Sequence, residues 1–204
     1  KADKALYLAK EKGKNRHIIY EERLHGKLET DDMQNMAMAY AVSKEKKREA
    51  ITEMVTELCV SGVNAIVKNE ERLQQIRSLF DLDGITIFSD RGSNLVCRNG
   101  NYMAEASDGR PGFEDEKYLA LFGEDGIFVE SNMLKLRSQN PAAYAVTQEQ
   151  EIGAALQCLS RKEGIPYAMV NFEVFNRNRK WSDEDITLLT LLGHCIGNLL
   201  NYSE

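Results

Sequence analysis

Residues 181–200, WSDEDITLLTLLGHCIGNLL, put two apolar stripes on one helix, and a helix with two stripes needs two neighbours. Its start is well marked. Ser182 is a good N-cap, and Asp183, Glu184 and Asp185 fill the first turn, where the positive end of the helix dipole favours carboxylates. Trp181 before the cap and Ile186 after it are placed as a hydrophobic staple. One stripe is Leu188, Leu192, Cys195 and Leu199; the other is Ile186, Leu189, Ile196 and Leu200. Thr187, Thr190, His194 and Asn198 form a narrow polar seam. A helix covering a single sheet face needs only one stripe. The second must be buried against another helix, from this chain or from a second copy. The expectation is a homodimer held by helices from residues 50–67 and 186–200.

Upstream the period changes twice. Ile51, Met54, Val55, Leu58, Val63, Ile66 and Val67 recur at three- and four-residue steps, as on a helix. Leu73, Ile76, Leu79 and Phe80 resume the pattern on a second helix, with Asn69 as its cap and Glu70 and Glu71 in its first turn. Residues 21–49 read as a helical linker: Asp31 or Asp32 starts a short helix through Met33, Met36 and Tyr40, and SKEKKRE follows as a charge run. From Gly84 the chain turns β-rich, with GITIFS, a turn at DRGSN, and LVCR. Residues 100–125 hold several glycines around a short helix at Glu116 to Phe122. Gly126 to Glu130 is another strand, and Met133 to Ser138 makes a helical turn or two ahead of Pro141. Ala154 to Ser160 and Pro166 to Phe175 pair as a hairpin across RKEG.

Composition excludes several classes. Hydrophobic residues make up 43% of the 204, enough for a core, and 28% charged residues suit a wet surface. No apolar run is long enough to insert in a membrane, and no secretory signal opens the chain. Residues 1–27 carry net +4 and the remainder net −10, which supports a boundary near residue 27 and argues against nucleic acid as a partner. Cys59, Cys97, Cys158 and Cys195 lie far apart, without C-x-x-C spacing, so neither a metal site nor a disulfide framework is expected. Four free thiols fit a cytoplasmic setting. Gly109-Arg-Pro-Gly lacks the strand–loop–helix setting of a phosphate loop.

The first twenty residues, KADKALYLAKEKGKNRHIIY, resemble the closing helix and strand of a GGDEF (diguanylate cyclase) domain, A-D-x-A-L-Y-x-A-K-x-x-G-x-N. Ala2, Asp3, Ala5, Leu6, Tyr7, Ala9, Lys10, Gly13 and Asn15 match, and Lys14 stands where the family usually has Arg. The resemblance implies that Lys10 and Lys14 touch nucleotide phosphates in an intact domain. The family's signature loop is absent from this chain, so no catalytic residue and no enzyme activity are expected of it. Residues 1–20 are then a remnant of a longer signalling protein that opens on Lys1 here.

Residues 50–204 resemble the GAF domain, a small-molecule sensor module, most clearly in LQQIRSLFDLDGITIF (73–88) and in NRNRKWSDEDITLLTLLGHCIGNLL. That likeness implies an α+β fold of GAF/PAS type: an antiparallel sheet with the N- and C-terminal helices on one face and a ligand pocket on the other. It also implies dimers through those helices. A pocket would draw on Arg98, Tyr102, Tyr118, Phe122, Tyr144, Asn171 and Glu173. The Cys-His pair of bilin-binding relatives is reversed here, as His194-Cys195, and N-K-x-F-D-E of cyclic-nucleotide-binding relatives is missing. No tetrapyrrole or metal is therefore expected, and the ligand stays unknown. The implied role is a sensory module of a bacterial cyclic-di-GMP signalling protein beside a GGDEF neighbour. The alternative is a degenerate GAF that only dimerises and spaces its neighbours.

Overall fold

The computed structural model of the chain describes residues 30–62, 70–89, 94–98, 101–105, 115–149 and 151–202. The segment resembling a cyclase tail (residues 1–20), together with Val63, Ile66, Val67, Asn69 and the Gly109–Gly112 loop, lies outside the described residues. Two compact units divide the chain at Lys46/Lys47. Helix α1 (Thr30–Ser61) begins in the first and ends in the second. The short helix, the charge run and the helix from Ile51, read as separate segments, are one continuous helix. Lys, Glu and Arg are good helix formers and carry the helix through SKEKKRE.

The second unit is built on a six-stranded antiparallel sheet in the order β3-β2-β1-β6-β5-β4. Its strands are β1 (Gly84–Ser89), β2 (Asn94–Arg98), β3 (Asn101–Glu105), β4 (Ile127–Glu130), β5 (Ile152–Lys162) and β6 (Ile165–Phe175). The long β5–β6 hairpin turns at Glu163 and Gly164, both with positive φ (53° and 84°). Such a two-residue turn matches the twist of the strands it joins. Strand β3 is a short edge strand for which the sequence reading had no place.

Alternate residues of each strand face opposite layers. One layer takes Ile85, Ile87, Cys97, Leu156, Cys158, Val170, Phe172 and Val174 from the sheet. It is covered by α1, by α2 (Glu70–Leu79) through Leu73 and Ile76, and by the final helix α6 (Asp183–Tyr202) through Leu189, Leu192 and Ile196. The other layer takes Ala155, Leu159 and Met169, beneath α3 (Glu116–Leu119), a 3-10 turn at Met133–Lys135, α4 (Leu136–Gln139) and α5 (Pro141–Glu149). An antiparallel sheet with the terminal helices on one face is the arrangement that the sequence implied.

The two stripes of α6 are resolved differently from the expectation. Leu192 is fully buried in the core with Leu189 and Ile196, so it does not belong to a seam facing a second copy. Leu188, Cys195 and Leu199 are only partly buried, at the rim of that core. Beyond it, Leu191 and Val60 remain exposed.

A charged hub ties the helical face together. Asp185 accepts from Lys47 of α1 at 2.7 Å and from Arg179 at 3.1 Å. Arg179 also donates to the Phe80 and Asp81 carbonyls at the end of α2 and stacks 4.3 Å over the Trp181 ring. Trp181 Nε1 donates to the Glu130 carbonyl of β4. The Ser182 hydroxyl accepts from the Asp185 amide at 3.1 Å, the cap that the sequence marks. Burial would raise the Asp185 carboxyl, but Lys47 and then Arg179 outweigh it and hold the group below its ordinary value.

Close approach of α6 to the sheet rests on glycine. A Cβ at Gly193 would lie 2.6 Å from Cys158 Sγ and 2.8 Å from its Cβ, and one at Gly197 would lie 2.1 Å from Ser160 Oγ. Four helical residues advance about 6 Å and two strand residues about 6.7 Å. The Gly193/Gly197 pair therefore runs in step with Cys158/Ser160.

Candidate functional site

The face of the sheet away from α1 and α6 carries a row of polar side chains where an apolar layer is the norm. Thr86 of β1 pairs with Asn171 of β6, and Asn171 pairs with Gln157 of β5, so the three lie side by side across the centre of the sheet. All three are buried. Tyr118 of α3 reaches down and donates its hydroxyl to Gln157 Oε1 at 2.7 Å. Asp115 holds α3 in place by capping it, accepting from the amides of Lys117 and Tyr118.

Glu173, fully buried, stands one strand step from Asn171 on the same face. Its neighbour in β1 is Gly84, and Gly84 in turn pairs with Arg98 of β2. Because Gly84 has no side chain, the row between positions 98 and 173 is bridged by backbone alone. Burial pushes the Tyr118 hydroxyl up to about 12; the Gln157 hydrogen bond opposes this, and the nearby Glu173 charge adds to it. At neutral pH Tyr118 is therefore a donor. Two oxygens in the row, Thr86 Oγ1 and Asn171 Oδ1, are buried without a hydrogen-bond partner among the described residues. A buried polar atom left unpaired costs about 1–3 kcal/mol, so such atoms mark places where a fold serves something besides its own stability.

Around the row sits an aromatic wall. Tyr118 and Phe122 meet edge-on at 5.7 Å between ring centres, and Phe122 and Phe128 are 5.9 Å apart. Tyr144 of α5 packs against the same cluster and lines a cleft of about 520 Å³ with Asn132, Gln148, Glu151 and Asn176. A second cleft, about 600 Å³, opens beside Lys117, Leu121 and Asn140.

Of the seven residues expected at a pocket, Tyr118, Phe122, Tyr144, Asn171 and Glu173 all reach this side of the sheet. Arg98 occupies a register position on the same row as Glu173, and Tyr102 lies on β3 opposite Cys97; the side chains of both are outside the described set. Gln157 and Thr86 were missed. Each is a lone polar residue in an apolar strand at a position sharing a row with Asn171, which is the signal that could have found them. Among the described residues no His, Cys, Asp and Glu group is placed to hold a metal ion. None of the described helices is long and apolar enough to cross a membrane. Lys10 and Lys14 lie outside the described residues.

No protein-family model matches the chain, and no curated protein matches it in sequence. Solved structures do. The chromophore-binding domain of the Stigmatella aurantiaca bacteriophytochrome matches with a TM-score of 0.56 at 14% identity, over 76% of this chain and 60% of that one. That of an unusual R. palustris bacteriophytochrome matches with a TM-score of 0.53 at 14% identity, over 78% and 62%. The free methionine-R-sulfoxide reductase of Neisseria meningitidis, solved with its substrate, matches with a TM-score of 0.51 at 9% identity, over 78% and 91%. The chain spans about 60% of the length of the two bacteriophytochrome structures. With its antiparallel sheet, terminal helices on one face and small helices on the other, the chain has a GAF-like α+β fold.

Proposed function

We propose that residues 47–202 form a sensory module that takes a small molecule on the sheet face formed by Thr86, Gln157, Asn171, Glu173 and Tyr118. The observation that carries this reading is the buried polar row itself, with two oxygens unpartnered among the described residues. A ligand offering donors along one flat edge would complete it, while Phe122 and Phe128 would cover its apolar side. Ligand binding would bias the packing of α1 and α6 from the far side of the same sheet. The finer setting belongs to the same proposal. The likeness of residues 1–20 to a cyclase tail supports a setting after a diguanylate cyclase domain in a cyclic-di-GMP signalling protein, and exposed Val60 and Leu191 support a homodimer through the terminal helices.

The module is proposed to be non-enzymatic and free of a covalently held chromophore. Support comes from the cysteines. Cys97 and Cys158 are buried in the layer under the terminal helices, and Cys59 and Cys195 sit on those helices, so no thiol lies on the polar face. Burial raises Cys97 and pushes Cys158 up to about 12, which keeps both thiols protonated and poorly nucleophilic.

A second reading, a spacer with no ligand, draws on the aromatic wall: Tyr118, Phe122 and Phe128 fill much of the space above the sheet. Asn171→Leu separates the two. A ligand floor is built against stability, so the variant should unfold at an unchanged or higher denaturant concentration. A structural network would lose about 1–3 kcal/mol on the same change, and that result would favour the spacer.

A further inference from the structure

Helices α1 and α6 are joined by two adjacent side-chain pairs. Arg48 Nε donates to Glu184 Oε1 at 2.8 Å, and the adjacent Lys47 Nζ donates to Asp185 Oδ1 at 2.7 Å. Eleven residues complete three turns of a helix. The residue eleven places past Arg48 therefore returns to the same side of α1, and it is Cys59. The residue eleven places past Glu184 returns to the same side of α6, and it is Cys195. Cys59 is accordingly the neighbouring thiol that acts on Cys195. Cys59 is exposed, and Cys195 is half-buried at the rim of the core; the other two cysteines are enclosed.

We propose that Cys59 and Cys195 form a thiol-modification site that closes as a disulfide across the two terminal helices, with a low-molecular-weight disulfide as oxidant. The Cys59 thiolate, reached from solvent, attacks one sulfur of the small disulfide. That sulfur–sulfur bond breaks, and one small thiolate leaves with the bonding pair. Cys195, after losing its proton to water, attacks the Cys59 sulfur of the mixed disulfide, and the second small thiolate leaves. The protein gives up two protons and two electrons, and the small disulfide becomes two thiols. Access sets the order. Burial and the neighbouring Cys59 hold the Cys195 thiol up, so it acts second, at short range. The closed bond would fix the register of α1 against α6, which the ion pairs at Arg48 and Lys47 set only at the other end.

The test uses the whole chain equilibrated in glutathione buffers of rising oxidised fraction, then alkylated and mapped by mass spectrometry. The expected product is a Cys59–Cys195 linked peptide, in a protein that has lost two hydrogens and runs as a single chain without reductant. Closing so long a loop should raise Tm by roughly 5–15 °C. Cys59→Ser, at an exposed position, should abolish both the link and the shift, and Cys97→Ser should abolish neither. Arrest at a glutathione adduct on Cys59, a Cys59–Cys59 bond between two chains, or no exchange at all would each overturn the proposal.

Discussion

Replacing Gly193 by Ala sets helix propensity against packing, and the structure says which wins. On an exposed helix this change stabilises by about 1 kcal/mol, because glycine loses more backbone freedom on folding. Here the new Cβ would lie 2.6 Å from Cys158 Sγ and 2.8 Å from Cys158 Cβ. Rotating the Cys158 side chain moves the sulfur but not its Cβ, so α6 itself must lift from the sheet. Lifting it loosens Leu189, Leu192 and Ile196, all fully buried against that face. Overpacking of this kind costs about 1–3 kcal/mol. After the propensity gain, the net loss should be about 0–2 kcal/mol, or up to roughly 8 °C in Tm for a domain of this size. Gly197→Ala should cost less. Its clash is with Ser160 Oγ at 2.1 Å, which can rotate away and leaves Cβ at 3.1 Å. The assay is urea unfolding followed by circular dichroism, with Cys158→Gly completing a double-mutant cycle. Cys158→Gly removes both clashing atoms, so Gly193→Ala should turn favourable in its presence, with a coupling of about 1–3 kcal/mol. A Gly193→Ala variant more stable than the parent, or a coupling near zero, would refute the close approach of α6 to β5.

Three further outcomes follow from buried groups. Asp185→Ala should cost about 3–5 kcal/mol in denaturant unfolding, because it strands Lys47 and Arg179 beside each other. Since the Asp185 carboxyl is held below its unfolded value, its contribution is complete above about pH 4 and is lost as pH falls through the folded value. The parent should thus lose stability below about pH 4, and Asp185→Asn should show a shallower acid limb. Tyr118→Phe should cost about 1–3 kcal/mol by leaving Gln157 Oε1 without its donor. The Tyr118 contribution is present below the ordinary tyrosine range near 10 and is lost as pH rises through about 12; a spectroscopic titration should find one tyrosine lagging the rest. Gly126→Ala should destabilise strongly, because φ there is 73° and a Cβ would lie 2.3 Å from the Leu159 carbonyl oxygen; a neutral effect on Tm would contradict that.

The parts of the fold written in local chemistry were legible. The cap at Ser182, the hairpin around Glu163-Gly164 and the helical periods at Ile51 to Leu58 each rest on a short-range rule, and each stands in the structure. Three features escaped. Strand β3 is five residues on a sheet edge, where half-polar composition hides the alternation. Helix α5 was not read from the sequence, which gave only a helical turn ahead of Pro141, yet Pro141 is the first residue of that helix. Asn140 Oδ1 accepts the Ala143 amide at 3.1 Å as the cap, so Asn-Pro was a start signal and not a stop. The charge run was read as part of the linker, yet its Lys47 and Arg48 are paired with α6. At the site, the aromatic residues and Asn171 were singled out by type, but which residues share a row depends on register. Register is set by pairing between strands far apart in sequence, and no single strand reveals it.

Native mass spectrometry of freshly purified chain, compared with its denatured spectrum, tests the sensory reading most directly. The account predicts a small, non-covalent mass that accompanies the folded protein, disappears on denaturation and is absent from Asn171→Leu. A folded protein that carries no added mass, and whose spectrum Asn171→Leu leaves unchanged, would contradict it.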